Sequence, residues 1–266
     1  VPLFPPQKLI NVLRQINPDV LNTFPSVLST LANYDISGIH PRLIFTQGEV
    51  VTQHCRDLVK KMFNLELFET YGSVEFDNLA FECNEHCGLH MITDGTYVEF
   101  IDEDGEYVSP GEQGEIIVTG LRNYAMPLIR YRIGDLGIPA DEKCPCGRSW
   151  PIIKSVQGRI NDYLVLPSGR KISAGWLYIE RIIEPELEKN LFSVAQYQIV
   201  QDRKDGIIIK IVKGRKFDPE MLERIKNNLE MYFATLGENL EVLMQVVKEI
   251  PRGRTGKKRD LVLLIQ

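Results

Sequence analysis

MPLIRYRIGDLG, residues 126–137, joins an apolar run to a glycine–aspartate step and closes on a second glycine. The part MPLIRYRIG (126–134) predicts a strand, with Asp135 just past its end. Alone, that aspartate is equally an ordinary turn former ahead of Gly137. The surrounding sequence gives it context. From Glu66 to about Ile153, short β-rich runs are divided by turn signals: NLAFEC (78–83), YVEFID (97–102) and EIIVTG (115–120), with Asp104-Gly105 as a hairpin turn. Asp135 thus belongs to a β-rich subdomain.

Upstream, residues 7–33 read as helices, with Pro18 and Pro25 at first-turn positions. RLIFT (42–46) reads as a short strand. EVVTQHCRDLVKKMF (49–63) has helical apolar spacing at Val50, Cys55, Leu58, Val59 and Met62, which makes Cys55 a core residue. A second unit begins after VQGRIND (156–162). Its strands are YLVLP (163–167), VAQYQIV (194–200), GIIIKIV (206–212) and LEVLMQVV (240–247). A Ser168-Gly169 turn, a helix around 174–184 and a helix over 219–233, with Asp218 as N-cap and Pro219 first, lie between them. The order lacks a strict βαβ rhythm, which predicts α+β for this unit.

The chain has 266 residues, a formal charge of −5, 44% hydrophobic and 25% charged residues. That length suits one large or two medium domains with a real core. Mild acidity gives no reason to expect nucleic acid or an anionic membrane as a partner. No apolar run approaches the roughly 20 residues that span a bilayer. No signal peptide is visible, and the expected location is the cytoplasm.

Five cysteines are too few for a disulfide scaffold. Four of them fall in two clusters about sixty residues apart, ECNEHCGLHM (82–91) and DEKCPCGRSW (141–150). Such pairs are the usual source of a tetrahedral zinc site. Cys83, Cys87, Cys144 and Cys146 would fill the shell, with His90 or His86 as a replacement for Cys87. No position would remain for water, so the expected site is structural.

Several further stretches join MPLIRYRIGDLG: TQGE (46–49), ETYGSVEF (69–76), GRIND (158–162) and IPRGRTGKKRD (250–260). In this order they resemble the superfamily of adenylate-forming enzymes: acyl-CoA synthetases, peptide-synthetase adenylation domains and luciferases. The likeness is strongest to phenylacetate–CoA ligases and CapK-like proteins, where a cysteine-rich insert and a CPCGR stretch accompany the aspartate motif. It runs from about Pro18 to Arg259. The resemblance implies an α/β plus α+β protein. Residues 1–160 would be the remainder of a large AMP-binding domain with a zinc-stapled β subdomain. Residues 161–266 would be a small, mobile cap carrying the catalytic lysine.

It also implies ATP or AMP, Mg2+ and CoA as ligands, and a small carboxylic acid as substrate. Activation as an acyl adenylate would be followed by thioester formation. Tyr71 would offer a ring to the adenine and Gly72 a close backbone approach. Glu75 would hold magnesium, since a hard cation wants oxygen ligands. Asp135 would grip the ribose diol, and Arg159 would lie near ribose and phosphate. Lys257 would touch the substrate carboxylate and the α-phosphate. Gly48, Glu49 and Ser73 complete the expected nucleotide-binding set, and Asn161 takes the hinge position. A homodimer is left open.

The sequence departs from the pattern in three places. The Ser/Thr/Gly-rich phosphate loop ending in lysine does not occur in these 266 residues. The expectation is therefore that this polypeptide alone makes adenylate inefficiently. Val74 stands where the family has Ser or Thr before the glutamate, and Asn161 stands where it has Asp or Lys. The competing reading is a zinc-stabilised binding module that keeps the fold without turnover.

Overall fold

A computed structural model describes residues 4–173, 176–253 and 256–265. In chain order the elements are α1 (Pro6–Ile16), β1 (Val20–Thr23), α2 (Pro25–Leu31), β2 (Leu43–Gln47), α3 (Gln53–Phe63) and β3 (Leu67–Ser73). Then come β4 (Asp77–Glu82), β5 (Leu89–Met91), β6 (Thr96–Ile101), β7 (Gly114–Gly120), β8 (Tyr131–Ala140) and β9 (Ile152–Arg159). The last group is β10 (Tyr163–Val165), β11 (Lys171–Ser173), α4 (Trp176–Lys189), β12 (Val194–Arg203), β13 (Gly206–Lys213), α5 (Pro219–Thr235), β14 (Glu241–Val247) and β15 (Leu261–Leu263). The mixture agrees with the expected α/β plus α+β class.

The chain forms two compact units. The first comprises residues 1–44, 51–67 and 162–266, and the second residues 45–50 and 68–161. The N-terminal helices thus group with the C-terminal residues, whereas the expected division ran at residue 160 alone.

In the second unit the strands run in the order β2-β3-β4-β5-β9-β8-β7-β6, and the pairs β3–β4 through β8–β9 are antiparallel. Leu79, Ala80, Leu89, Ile116, Val118 and Ile153 form its core with Tyr71 and Phe100. Gly137 lies against this core: a Cβ there would meet Ile116 Cδ1 at 2.8 Å and Phe100 Cε1 at 3.1 Å.

Strand β8 begins at Tyr131, later than its apolar run predicts. Arg130 is left-handed at φ +47°, which ends extended pairing there. Met126 and Ile129 are exposed, so their apolarity marks a surface loop and not a core face. Asp135 sits inside β8, not past it. Pairing with β7 moves from Ile117↔Arg132 to Glu115↔Leu136, advancing two residues on β7 and four on β8. The surplus puckers out at Ile133–Asp135, with Gly134 at φ +80°. Bulges of this kind re-aim side chains beside functional sites.

In the first unit, β12 and β13 pair antiparallel, and β15 and β14 flank them in parallel. Ile183 and Leu187 of α4, and Met221, Ile225, Leu229 and Phe233 of α5, pack onto Ile199, Ile207, Ile209 and Ile211. Asp218 caps α5 by accepting from Glu220 N at 3.0 Å, with Pro219 at the first position as expected. Pro25 likewise opens α2. Pro18 instead lies in a loop ahead of β1, a strand too short to register in the sequence pattern. Helix α3 starts at Gln53, where Thr52 accepts from Cys55 N at 3.2 Å. Cys55 is buried, as its helical spacing predicts. Ala174, at the expected start of α4, lies outside the described residues. Among the described residues no helix is long and apolar enough to cross a membrane.

Candidate nucleotide site and metal centre

The pucker in β8 aims Asp135 at Tyr71. The Tyr71 hydroxyl donates to Asp135 Oδ2 at 2.9 Å, although β4, β5 and β9 lie between their strands in the sheet order. The sheet therefore curls until β3 and β8 meet. Opposite Asp135 on β9 is Arg159, whose Nε lies 3.5 Å from Oδ1. Burial, and then the Asp135 charge, push the Tyr71 phenol above its ordinary range, so it stays a donor.

Tyr71 and its neighbours occupy the β3–β4 hairpin. Its ring is 8% exposed and packed in the core, so the hydroxyl, and not an open ring face, is what it presents. Gly72 is required by the hairpin itself: a Cβ would lie 2.0 Å from the Asp77 carbonyl oxygen. The expected reason, close approach to a base, is thus preceded by a backbone constraint. Ser73 Oγ is buried and has no hydrogen-bond partner among the described residues. Val74 and Glu75 form the exposed tip. Tyr131 donates to Glu75 Oε1 at 3.4 Å, and its ring lies 6.0 Å from that of Phe76. Tyr131 was not among the sequence candidates; its alternation with Arg130 and Arg132 in a β-rich motif was the available signal. Gly48, at φ +78°, and Glu49 follow β2 in a bend.

Lys257 belongs to the first unit. Its loop is held by Gly253 N donating to Lys257 O at 3.0 Å and by Gly256 N donating to Gly253 O at 2.9 Å. Arg252 donates to Gly256 O at 3.0 Å, and Gln198 donates to Arg259 O at 2.7 Å. Lys258 is spoken for: its ammonium donates to Tyr197 O at 3.0 Å and pairs with Asp260. Lys257 is half-buried and makes no ion pair among the described residues. Arg254 and Thr255 of this loop lie outside the described residues. Asn161 is in the turn after β9, where the two units divide.

Cys83, His90, Cys144 and Cys146 bring one ligand atom each to within 4.8 Å of one another. Cys83 and Cys144 Sγ lie 3.5 Å apart. Cys146 Sγ is 3.4 Å from His90 Nε2. These edges are close to the roughly 3.7 Å of a tetrahedron with Zn–S bonds near 2.3 Å. The Arg148 backbone N–H pulls the Cys146 thiol down to about 7 against the opposing effect of burial, and its guanidinium adds to the lowering. Burial pushes Cys83 up and His90 down, the latter keeping the imidazole a neutral ligand. Three thiols and an imidazole at this spacing fit zinc. Cys87 lies outside the cluster: it is exposed, with its thiol donating to Glu85 O at 3.2 Å. His86 sits on Glu82 Oε1 at 2.9 Å. Of the alternatives the sequence left open, the fourth position therefore goes to His90.

The fold, with a curled β subdomain that carries this carboxylate, is shared with solved CoA ligases. A solved 2-hydroxyisobutyryl-CoA ligase, in the postadenylation state with its acyl-AMP, superposes with TM-score 0.76 at 20% identity, over 97% of this chain and 57% of that one. Residues 165–262 match the family model of the CapK C-terminal domain. The chain is 28% identical to a phenylacetate–coenzyme A ligase of Thermus thermophilus, over 96% of this chain and 62% of the relative. It is 26% identical to the protein CapK of Staphylococcus aureus, over 94% of this chain and 54% of the relative. The chain is thus similar in sequence to phenylacetate–CoA ligase and CapK and shares its fold with a solved CoA ligase. It spans a little over half the length of these relatives.

Proposed function

We propose that these residues supply the ribose-gripping and cap portions of an AMP-forming acid–thiol ligase. In such an enzyme a substrate carboxylate oxygen attacks the α-phosphorus of ATP and pyrophosphate leaves. A thiol, taken here as that of CoA, then attacks the acyl carbonyl and AMP leaves. The observation that carries this reading is Asp135, held at a strand pucker between Tyr71 and Arg159. One carboxylate can accept from two vicinal hydroxyls, and a guanidinium beside it favours an anionic ligand. The orphaned Ser73 hydroxyl supplies a further donor at the same hairpin. Glu75 would hold magnesium, which neutralises phosphate charge when bound. Lys257, displayed on a tight turn while Lys258 is tied down, would stabilise charge on the α-phosphate, a contact typically worth about 10²–10³-fold in rate.

The division into residues 1–160 and a cap of 161–266 turning about Asn161 belongs to the same proposal. Such a turn would break bonds inside the first unit: Gln196 to Thr30 at 2.8 Å, Arg215 N to Asn33 at 2.8 Å, and Arg252 to Ser26 at 2.8 Å. These are hydrogen bonds of a polar, reversible kind. The thiol–imidazole cluster would take structural zinc, which suits a reducing compartment such as the cytoplasm.

Calorimetric titration of the chain with AMP tests the reading. Weak, saturable binding that disappears in Asp135→Ala is expected. Equal binding by both proteins, or none by either, overturns it. ATP–pyrophosphate exchange by the same chain should stay far below that of a complete ligase, and ordinary turnover would refute the expected dependence on a phosphate loop.

A further inference from the structure

We infer that Tyr71 is a positioning residue for Asp135: its hydroxyl fixes the plane of the carboxylate toward a ribose diol and so makes the site select ribonucleotides over deoxyribonucleotides. The inference rests on the nucleotide reading above and adds a residue role and a specificity to it.

An aspartate carboxylate turns easily about its last torsion, because that torsion is broad and roughly two-fold. Gripping a diol demands one setting, with both oxygens presented along a single edge. In this structure the setting is imposed. Oδ2 receives the Tyr71 hydroxyl at 2.9 Å, and Oδ1 faces Arg159 Nε at 3.5 Å. The two restraints differ in stiffness. The Arg159 side chain is 69% exposed and free to swing. Tyr71 is 8% exposed and packed in the core cluster with Leu79, Ala80 and Leu89. Of these two, the phenol is therefore the more rigid anchor.

Two irregularities of the backbone meet at this bond. The β3–β4 pairing shifts between Tyr71 and Gly72, a position where no Cβ fits. On β8 the surplus at Ile133–Asp135 projects the carboxylate. The two deviations thus lie at the two ends of the one hydrogen bond. Packing alone would be satisfied by phenylalanine; the hydroxyl bonds to Asp135 and has no part in the core.

The test uses Tyr71→Phe, which keeps the ring and removes the hydroxyl, with Asp135→Ala as reference. Affinities for AMP, 2′-deoxy-AMP and 3′-deoxy-AMP are measured by calorimetry, and circular dichroism and thermal melting confirm the fold. The native chain is expected to prefer AMP over both deoxy forms. In Tyr71→Phe, AMP binding should weaken about tenfold, in the range of one hydrogen bond to a charged group, while binding of the deoxy forms changes little. The preference then collapses. Equal weakening of all three ligands, or no change, overturns the inference and leaves the nucleotide reading intact if Asp135→Ala still abolishes binding. Absence of saturable AMP binding in the native chain overturns both.

Discussion

Sγ of Cys146 lies 3.4 Å from Nε2 of His90, joining the β8–β9 connection to β5 across a gap of more than fifty residues. Together with Cys83 and Cys144 this brings four candidate ligand atoms within 4.8 Å of one another, the set proposed to hold zinc. Purified protein should carry about one zinc per chain by elemental analysis. Cys144→Ala and His90→Ala should lose it and melt lower, because metal binding contributes directly to folding. Cys87→Ala should keep both metal and stability, its thiol being exposed and outside the shell. Loss of zinc in Cys87→Ala, or retention in both of the other variants, would refute the assignment.

How far the sequence disclosed this site depends on the kind of contact. Cys144 and Cys146 were visible because chemistry-bearing residues clustered at short range. The choice of His90 over Cys87 was not, since it depends on β5 pairing: His90 lies opposite Ile152 in the register, whereas Cys87 precedes the strand. Asp135 was legible as a residue but was placed just past its strand, whereas it lies inside β8. Its pucker arises from register against β7, a long-range property with no local signature. Tyr71 was recognised by motif and assigned to its ring; its hydroxyl bond spans three intervening strands and leaves no trace in spacing. Helices α3 and α5 were legible from apolar periodicity and caps. Short strands such as β1 and β5 were not, being below the length at which alternation can be read.

Lys257 and Lys258 are neighbours in different settings, and thermal melting separates them. Lys258→Ala removes the partner of Asp260 and the donor to the Tyr197 carbonyl. The side chain is 10% exposed, so the loss should be about 1–3 kcal/mol. Lys257→Ala should change stability by less than about 0.5 kcal/mol, as for other surface substitutions. If Lys257→Ala proves the more destabilising, its display on the loop for chemistry is wrong.

Gly72→Ala should disrupt the hairpin that carries Tyr71 and Glu75. The new Cβ would sit 2.0 Å from the Asp77 carbonyl oxygen, backbone that cannot step aside as a side chain would. A loss of several kcal/mol or failure to fold is expected, on the order of other backbone incompatibilities. Gly105→Ala is the control: its Cβ would meet nothing within 4 Å, and only its φ of +88° penalises it. Its cost should be about 1 kcal/mol. Chemical denaturation of the two variants compares them directly, and similar costs would show that the close approach across the hairpin is relieved.

His54 and Glu184 give the first unit a pH dependence of two signs. His54 is 5% exposed, its ring bonds to the Leu187 backbone, and Nδ1 has no partner among the described residues. Burial lowers it from 6.5 to about 4, a nearby Asp57 opposing the shift. Between those values the unfolded chain binds a proton that the folded chain refuses. Stability therefore rises with pH through this window, is complete above 6.5, and falls by at most about 3 kcal/mol toward pH 4. Glu184 is also buried. It accepts from His54 N at 3.1 Å and from Thr52, with Asp57 and Glu188 nearby. Burial raises it above 4.5, so the folded chain holds this proton longer than the unfolded one. Its contribution is present at low pH and lost as pH rises through the raised value. Two variants resolve the opposing slopes in melting curves from pH 4 to 8. His54→Gln should flatten the decline below pH 6.5. Glu184→Gln, which still accepts from His54 and Thr52 but carries no charge, should melt a few degrees higher than the native protein at pH 8. That gain should vanish near pH 4, where Glu184 is itself protonated. A gain that is the same at both pH values would mean that the carboxylate is ionised at no cost, and that its burial is relieved by partners beyond the α3 and α4 groups named here.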